Sequence, residues 1–184
     1  YAKTGEVHVR VTAQASDESS AEKLIKPVVK EIKKRFGQAV YSVKEEETLE
    51  MAVVRLLKKY ELTMAAAESC TGGLLSGRIV NVAGASDVFK EGFVTYSNKA
   101  KRKHLDVSKS TLKKYGAVSK ETAREMAIGG AFATDSDLCV AITGLAGPDG
   151  GTEEKPVGLV YIAAYMKDQV TVEEYRFKGN RQKI

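Results

Sequence analysis

The sequence has no tryptophan, and its 184 residues include only two cysteines and two histidines. Cys70 and Cys139 are too few for a disulfide framework, which favours a reduced, cytoplasmic protein. His8 and His104 lie far apart, and no histidine, cysteine and carboxylate residues stand at metal-ligand spacing, so we expect no metal or other cofactor. No apolar run has the length of a membrane span, and no signal peptide opens the chain.

Two nucleotide-binding signatures are missing as well. The sequence contains neither the G-x-x-x-x-G-K-[ST] motif of P-loop NTPases nor the G-x-G-x-x-G motif of dinucleotide-binding folds. Hydrophobic residues make up 43% and charged residues 29%, as in a globular protein. The net charge of +5 permits an anionic ligand without establishing one. The chain begins without methionine, from which we expect a fragment of a longer protein.

Residues 1–45 are predicted to form a small β-α-β domain. Residues 6–13 alternate between apolar and polar side chains, as in a half-buried strand. A helix with apolar residues at helical spacing follows, with Ser16 or Asp17 as its N-cap. A second short strand is predicted over residues 39–43. A unit of this size buries little core by itself.

Residues 46–184 alternate between predicted strands and helices, which indicates a layered α/β sandwich. Helices are predicted after Thr48, after the turn that follows Ser69, and over residues 119–134. Strands are predicted over residues 62–69, 89–96, 137–144, 157–165 and 169–177.

The motif E-S-C-T-G-G at 68–73 places a serine where a buried strand turns sharply into a helix. Such a turn exposes the Ser69 hydroxyl and directs free backbone N–H groups to the same point. Gly72 and Gly73 let a ligand approach the backbone closely. The arrangement suits a tetrahedral oxyanion. The alternative is that Ser69 and Thr71 are only helix caps.

The motif Y-S-N-K at 96–99 can supply the base that a serine nucleophile needs. With two histidines in the chain, a serine–lysine–tyrosine set is the available alternative to a Ser-His-Asp triad. Tyr96 and Lys99 are therefore candidate partners of Ser69. Alone, the motif would indicate a polar strand end with a solvated lysine. A reductase is disfavoured because its tyrosine and lysine are usually spaced Y-x-x-x-K.

Two further stretches could meet a phosphate group. The glycine-rich run T-G-L-A-G-P-D-G-G-T at 143–152 follows a buried strand, where loops often bind phosphate or supply oxyanion donors. An ordinary connecting loop is the alternative. The basic run K-A-K-R-K-H at 99–104 is interpreted as a solvated face for every member except Lys99.

Three motifs together resemble the C-terminal domain of the CinA family. They are A-A-A-E-S-C-T-G-G, V-T-Y-S-N-K-A-K and A-I-T-G-L-A-G-P-D-G-G-T-E-E-K-P-V-G, in this order. The resemblance runs from Glu46 to Arg181, and residues 1–45 resemble the KH-like linker that precedes this domain. It implies a KH-like domain over residues 1–45 and a deamidase domain over residues 46–184. The family domain also ends with a helix, which we expect to be missing after R-Q-K-I.

The resemblance implies a metal-independent amidohydrolase that converts nicotinamide mononucleotide (NMN) to nicotinic acid mononucleotide and ammonia, in pyridine-nucleotide salvage. Ser69 corresponds to the nucleophile, and Tyr96 and Lys99 to the residues that assist it. On this hypothesis a neutral Lys99 accepts the Ser69 proton. The candidate substrate-binding residues are Thr71, Gly72, Gly73, Gly144, Ala146, Gly147, Gly151, Thr152 and Arg181.

The resemblance also implies partners: a homo-oligomer, such as a dimer, and a MoaB-like domain before the linker in the full-length protein. We expect no membrane partner. The competing function is a non-catalytic module that binds nucleic acid or nucleotide, linked to competence or DNA damage. KH domains clamp nucleic acid through a G-x-x-G loop, whereas residues 1–45 hold only Gly5 and Gly37, so the enzyme hypothesis is favoured.

Overall fold

The computed structural model describes residues 1–3 and 5–184. The chain divides into two compact units, Tyr1–Leu49 and Glu50–Ile184. Among the described residues, no helix has both the length and the apolar character needed to cross a membrane.

The first unit is built around one long helix. Strands β1 (Ala2–Lys3) and β2 (Glu6–Val7) pair antiparallel, and helix α1 spans Glu18–Phe36. The predicted cap is confirmed for Asp17, whose carboxylate accepts a 2.9 Å hydrogen bond from the backbone N–H of Ser20.

The two strands predicted for this unit are largely wrong. Only Glu6–Val7 of the predicted strand 6–13 is paired, and residues 39–43 contain the end of a short 3₁₀ turn and no strand. An alternating pattern makes a strand only when another strand pairs with it. Here Val7 and Val9 remain 74% and 60% exposed, so their alternation buries little surface.

The second unit is a mixed five-stranded sheet with helices, which confirms the predicted α/β sandwich. Its strands lie in the order β4-β3-β5-β6-β7, with β3 parallel to β4 and β5, and the pairs β5–β6 and β6–β7 antiparallel. The strands are β3 (Met64–Glu68), β4 (Phe89–Val94), β5 (Leu138–Gly144), β6 (Leu159–Met166) and β7 (Gln169–Arg176). The helices are α2 (Leu49–Lys59), α3 (Leu74–Val80), α4 (Asn98–Leu105), α5 (Lys109–Tyr115) and α6 (Lys120–Thr134).

Small residues let α6 pack closely on the sheet and on α4. Strand β3 is buried along its whole length, with alanine at positions 65–67. A Cβ atom on Gly129 of α6 would come within 1.8 Å of the carbonyl oxygen of Leu105 in α4. Only glycine permits this approach, because any side chain would overlap the backbone of α4. The contact fixes the C-terminal end of α4 against the core.

Candidate active site

Ser69 lies at the carboxyl end of the buried strand β3. Its N–H donates to the carbonyl of Ile142 on the neighbouring strand at 3.0 Å, and its carbonyl accepts a 3.2 Å bond from the N–H of Gly72. Strand β4 ends beside it, because Thr95 N–H donates to the carbonyl of Glu68 at 2.8 Å. The end of the sheet thus brings residues 69 and 95 together, and Ser69 is 8% exposed.

The ammonium group beside Ser69 belongs to Lys101. Its Nζ donates to Ser69 Oγ at 2.9 Å, to the Thr95 carbonyl at 2.7 Å and to the Tyr96 carbonyl at 3.4 Å. Helix α4 presents Lys101 and Leu105 on one buried face, four residues apart, as expected for neighbours on a helix. The side chain is completely buried, so the lysine directed at Ser69 is part of the core.

The prediction that Lys99 lies beside Ser69 is wrong, as is the prediction of a solvated Lys101. Lys99 is exposed. Two residues along a helix correspond to a rotation of about 200°, so Lys99 and Lys101 lie on nearly opposite faces of α4. The Tyr96 side chain is 66% exposed, and this residue contacts Lys101 through its carbonyl. The sequence interpretation treated residues 96–99 as a strand end, so it missed the helical spacing of Lys101 and Leu105.

Burial makes Lys101 a better base than an ordinary lysine. Loss of solvation lowers its pKa from 10.5 to about 8, although the nearby Cys70 thiol partly opposes this change. At neutral pH roughly a tenth of such lysines are uncharged. A neutral amine at 2.9 Å from a serine hydroxyl can accept its proton.

Cys70 is less suited than Ser69 to act as a nucleophile. Burial raises the pKa of its thiol, and the backbone N–H groups of Cys70 and Thr71 and the charges of Arg181 and Lys101 only partly offset this effect. A thiol attacks as the thiolate, which burial disfavours here. Cys139 is completely buried, and burial raises its pKa to about 12.

The turn after Ser69 leaves two backbone donors available. Gly72 and Gly73 have φ angles of +62° and +102°, a left-handed conformation that favours glycine. Gly73 occupies the N-cap position of α3, so Ser69 and Thr71 do not cap this helix. Within the described part of the chain, the N–H groups of Cys70 and Thr71 donate to no backbone carbonyl, and both act on the adjacent Cys70 sulfur. Thr71 Oγ1 is buried without a hydrogen-bond partner in the same set of residues.

The glycine-rich loop is connected to this region through Arg181. The Arg181 guanidinium donates to the Gly147 carbonyl at 2.9 Å and lowers the pKa of Cys70. Gly147 and the adjacent Ala146 are buried. Of the predicted loop set, Gly147 is linked through Arg181 to the neighbourhood of Cys70.

Other predicted loop residues have local structural roles. Gly144 belongs to β5 opposite Val160, where a Cβ atom would lie 2.7 Å from the Val160 side chain. Thr152 Oγ1 accepts a 3.0 Å hydrogen bond from Lys155 N–H within a turn. A Cβ atom on Gly151 would meet the backbone of Val157 at 2.9 Å. These contacts account for the residue types at the three positions, and no ligand is needed to explain them.

A metal-binding cluster is not found among the residues that the structure describes. No group of three or more histidine, cysteine, aspartate or glutamate side chains converges there. The groups found around Ser69 are a buried lysine, backbone amides and, beside Cys70, a guanidinium.

Comparison with known proteins places the chain in a family. Residues 46–184 match the family described as CinA C-terminal domain, and residues 1–42 match the damage-inducible protein CinA KH domain. A CinA-like protein of Kosmotoga olearia is 53% identical over the whole chain, which spans 44% of the length of that relative.

Solved structures of similar proteins support the same family assignment. The competence/damage inducible protein CihA of Agrobacterium tumefaciens is 43% identical with a TM-score of 0.71, covering 73% of this chain and 82% of that one. A competence-damaged protein (CinA) superfamily protein of Escherichia coli is 35% identical, also with a TM-score of 0.71, covering 77% of this chain and 84% of its own. The chain therefore belongs to the CinA family.

Proposed function

We propose that this chain is a serine amidohydrolase that deamidates NMN, with Ser69 as nucleophile and Lys101 as base. The observation that carries the proposal is the 2.9 Å contact between Lys101 Nζ and Ser69 Oγ inside the core. The resemblance of the three sequence motifs to CinA supports NMN as the substrate. Such an activity would belong to pyridine-nucleotide salvage.

In the first half of the reaction, neutral Lys101 accepts the hydroxyl proton while Ser69 Oγ attacks the carboxamide carbon. The free N–H groups of Cys70 and Thr71 stabilise the negative charge that develops on the carboxamide oxygen. The Lys101 ammonium then gives its proton to the leaving nitrogen. The C–N bond breaks, ammonia departs and an ester to Ser69 remains.

In the second half, the same residues hydrolyse the ester. Lys101, neutral again, takes a proton from a water molecule as its oxygen attacks the ester carbon. The ester bond breaks and the proton on Lys101 passes to Ser69 Oγ. Nicotinic acid mononucleotide is released, and its carboxylic acid gives its own proton to solvent to form the carboxylate. The carbonyls of Thr95 and Tyr96 hold Nζ in place through both halves. In this mechanism the exposed Tyr96 phenol has no required role.

The proposal is tested by measuring ammonia release from NMN with and without EDTA. We expect turnover that chelation leaves unchanged, because the serine, the lysine and the backbone amides supply every group that the reaction uses. The control is the same assay on protein that has been dialysed against a buffer containing zinc. We expect the added zinc not to raise the rate of ammonia release. Loss of activity in EDTA and its recovery with zinc would contradict this mechanism.

Arg181 is the residue that we expect to bind the substrate phosphate. It is exposed, already orders the loop through Gly147, and lies close enough to Cys70 to affect its thiol pKa. Guanidinium groups bind phosphate through charge-assisted hydrogen bonds. A phosphate at this point would place the rest of NMN near Ser69.

Arg181→Gln should lower kcat/KM for NMN by about tenfold or more, the effect of losing a charge-assisted hydrogen bond. Hydrolysis of free nicotinamide should be slow in the wild type and unaffected by the substitution, since nicotinamide has no phosphate. Lys183→Gln, in the same exposed segment, is the matched control and should leave both rates unchanged. Equal hydrolysis of nicotinamide and NMN by the wild type would rule out the phosphate site.

A further inference from the structure

Glu68 is a buried carboxylate to which the proposed mechanism gives no role. It precedes Ser69 and is completely buried. Its Oε2 accepts hydrogen bonds from the N–H groups of Gly73 at 3.1 Å and Leu75 at 3.0 Å. Its Oε1 accepts from the N–H of Ser76 at 2.8 Å and from Ser76 Oγ at 2.7 Å. One carboxylate thus satisfies three donors at the start of α3 that would otherwise lack acceptors.

These bonds determine which amides stay available to a ligand. Apart from the three donors that Glu68 binds, the N–H groups of residues 69, 72, 74 and 77 donate to backbone carbonyls. Cys70 and Thr71 are then the residues between 69 and 77 whose N–H groups donate to no backbone carbonyl or carboxylate in the described part of the chain, and the Cys70 sulfur is the group that they face. The free donors are therefore the two that directly follow the nucleophile.

Glu68 supports the other side of the site through its backbone. Its carbonyl accepts the 2.8 Å hydrogen bond from Thr95 N–H, and the Thr95 carbonyl holds Lys101 Nζ at 2.7 Å. Its carboxylate is bound to α3 and does not contact Lys101 or Ser69 Oγ. Glu68 is also not among the groups that shift the pKa of Lys101, which are burial and the Cys70 thiol. Glu68 is thus linked to both reacting side chains without touching either.

The carboxylate is held in its charged form. Burial raises the pKa of Glu68, but the hydrogen bonds from Ser76, the nearby Thr71 hydroxyl and the N–H of Leu75 together outweigh burial and keep the pKa below its usual range. An ionised carboxylate accepts all four hydrogen bonds at once. A neutral amide in its place would accept with one atom only and would oppose an N–H group with the other.

We propose that Glu68 is a positioning residue, whose carboxylate fixes the turn after Ser69 so that the N–H groups of Cys70 and Thr71 face the developing oxyanion. The inference rests on the proposed serine hydrolase chemistry and does not depend on which amide is the substrate. A misplaced turn would slow every reaction in which Ser69 attacks an electrophile, because both the nucleophile and its oxyanion donors would move.

The test compares Glu68→Gln with Glu125→Gln. Glu125 is a matched control because its carboxylate also accepts a backbone N–H near a helix start, from Ser108, and a hydroxyl, from Thr111. The readout is the rate at which a fluorophosphonate labels Ser69, followed by intact mass across a range of pH, together with Tm. We expect Glu68→Gln to slow labelling by about tenfold or more, with the midpoint of the pH dependence unchanged. Glu125→Gln should lower Tm and leave the labelling rate within about twofold of wild type.

Each other outcome has a defined meaning. A Glu68→Gln protein that labels as fast as the wild type, or a control that slows equally, would overturn the assignment. If Glu68→Gln does not fold, the test uses Ser76→Ala, which removes one hydrogen bond to the Glu68 carboxylate. This variant should label several-fold more slowly than the wild type and keep an unchanged circular dichroism spectrum. A labelling rate equal to that of the wild type would overturn the role assigned to Glu68. Wild-type protein that labels on Ser69 but does not turn over NMN refutes the substrate, and the comparison of variants still decides the role of Glu68. Wild-type protein that does not label on Ser69 would overturn both the proposed serine hydrolase chemistry and the positioning role of Glu68.

Discussion

Ser69→Ala should lower the rate of NMN deamidation by about 10³-fold or more, as expected when a covalent nucleophile is removed. NMN affinity and Tm should change little, because the substitution removes one hydroxyl at the end of a strand. That hydroxyl contacts Lys101 and lies beside two free amide donors. The measurements are steady-state ammonia release and calorimetric titration with NMN.

The control for this variant is Cys70→Ala. Cys70 is the adjacent residue, and burial raises the pKa of its thiol, so its removal should spare most of the activity. A Ser69→Ala protein that kept a substantial fraction of the wild-type rate would contradict the acyl-enzyme mechanism. Loss of activity in Cys70→Ala instead would identify the thiol as the nucleophile.

Lys101→Met should be nearly as damaging as Ser69→Ala, whereas Lys99→Met should have little effect. The two lysines are separated by one residue, yet Lys101 is completely buried against Ser69 Oγ and Lys99 is exposed. Methionine fills the space of the lysine chain but cannot accept a proton. The double variant Ser69→Ala/Lys101→Met should be scarcely slower than either single variant, because the two residues act as one unit. The measurement is kcat/KM for the wild type, Ser69→Ala, Lys101→Met and the double variant, with Lys99→Met as the control.

The pH dependence should identify the same lysine. Since Lys101 must be neutral to accept a proton and its pKa is about 8, kcat/KM should rise with pH and level off above an apparent pKa of about 8. Lys99→Met should retain that profile. A wild-type profile that was flat between pH 6 and 9, or an active Lys101→Met protein, would exclude Lys101 as the base.

Most of the second unit could be predicted from its sequence. The strands at the centre of the sheet are runs of small and branched apolar residues, and Ser69 stands where such a run ends in a glycine-rich turn. The resemblance to CinA correctly identified the family. Sequence analysis therefore located the turn that holds Ser69 and the region that faces it.

What it missed is the helix that presents Lys101 to Ser69. Helix α4 is dominated by lysine and arginine, and it has little of the apolar pattern that marks a buried face. Its orientation depends on a tertiary contact, the approach of α6 at Gly129 to the backbone of Leu105. That contact turns Lys101 inward and leaves Lys99 in solvent. The pairing of Ser69 with a lysine was thus predictable, but the choice between two neighbouring lysines was not.

The burial of Lys101 also affects the stability of the fold. A fall in pKa from 10.5 to about 8 means that the folded protein, below pH 8, is destabilised by about 3 kcal/mol for keeping this group charged. Because the unfolded chain holds the proton more tightly, the penalty decreases as pH rises from about 8 and disappears near the ordinary lysine value. Stability and the neutral form of Lys101 therefore increase together in mildly alkaline solution. An apolar residue at this position would favour the folded state at neutral pH, so the lysine of this chain is held there at the expense of stability.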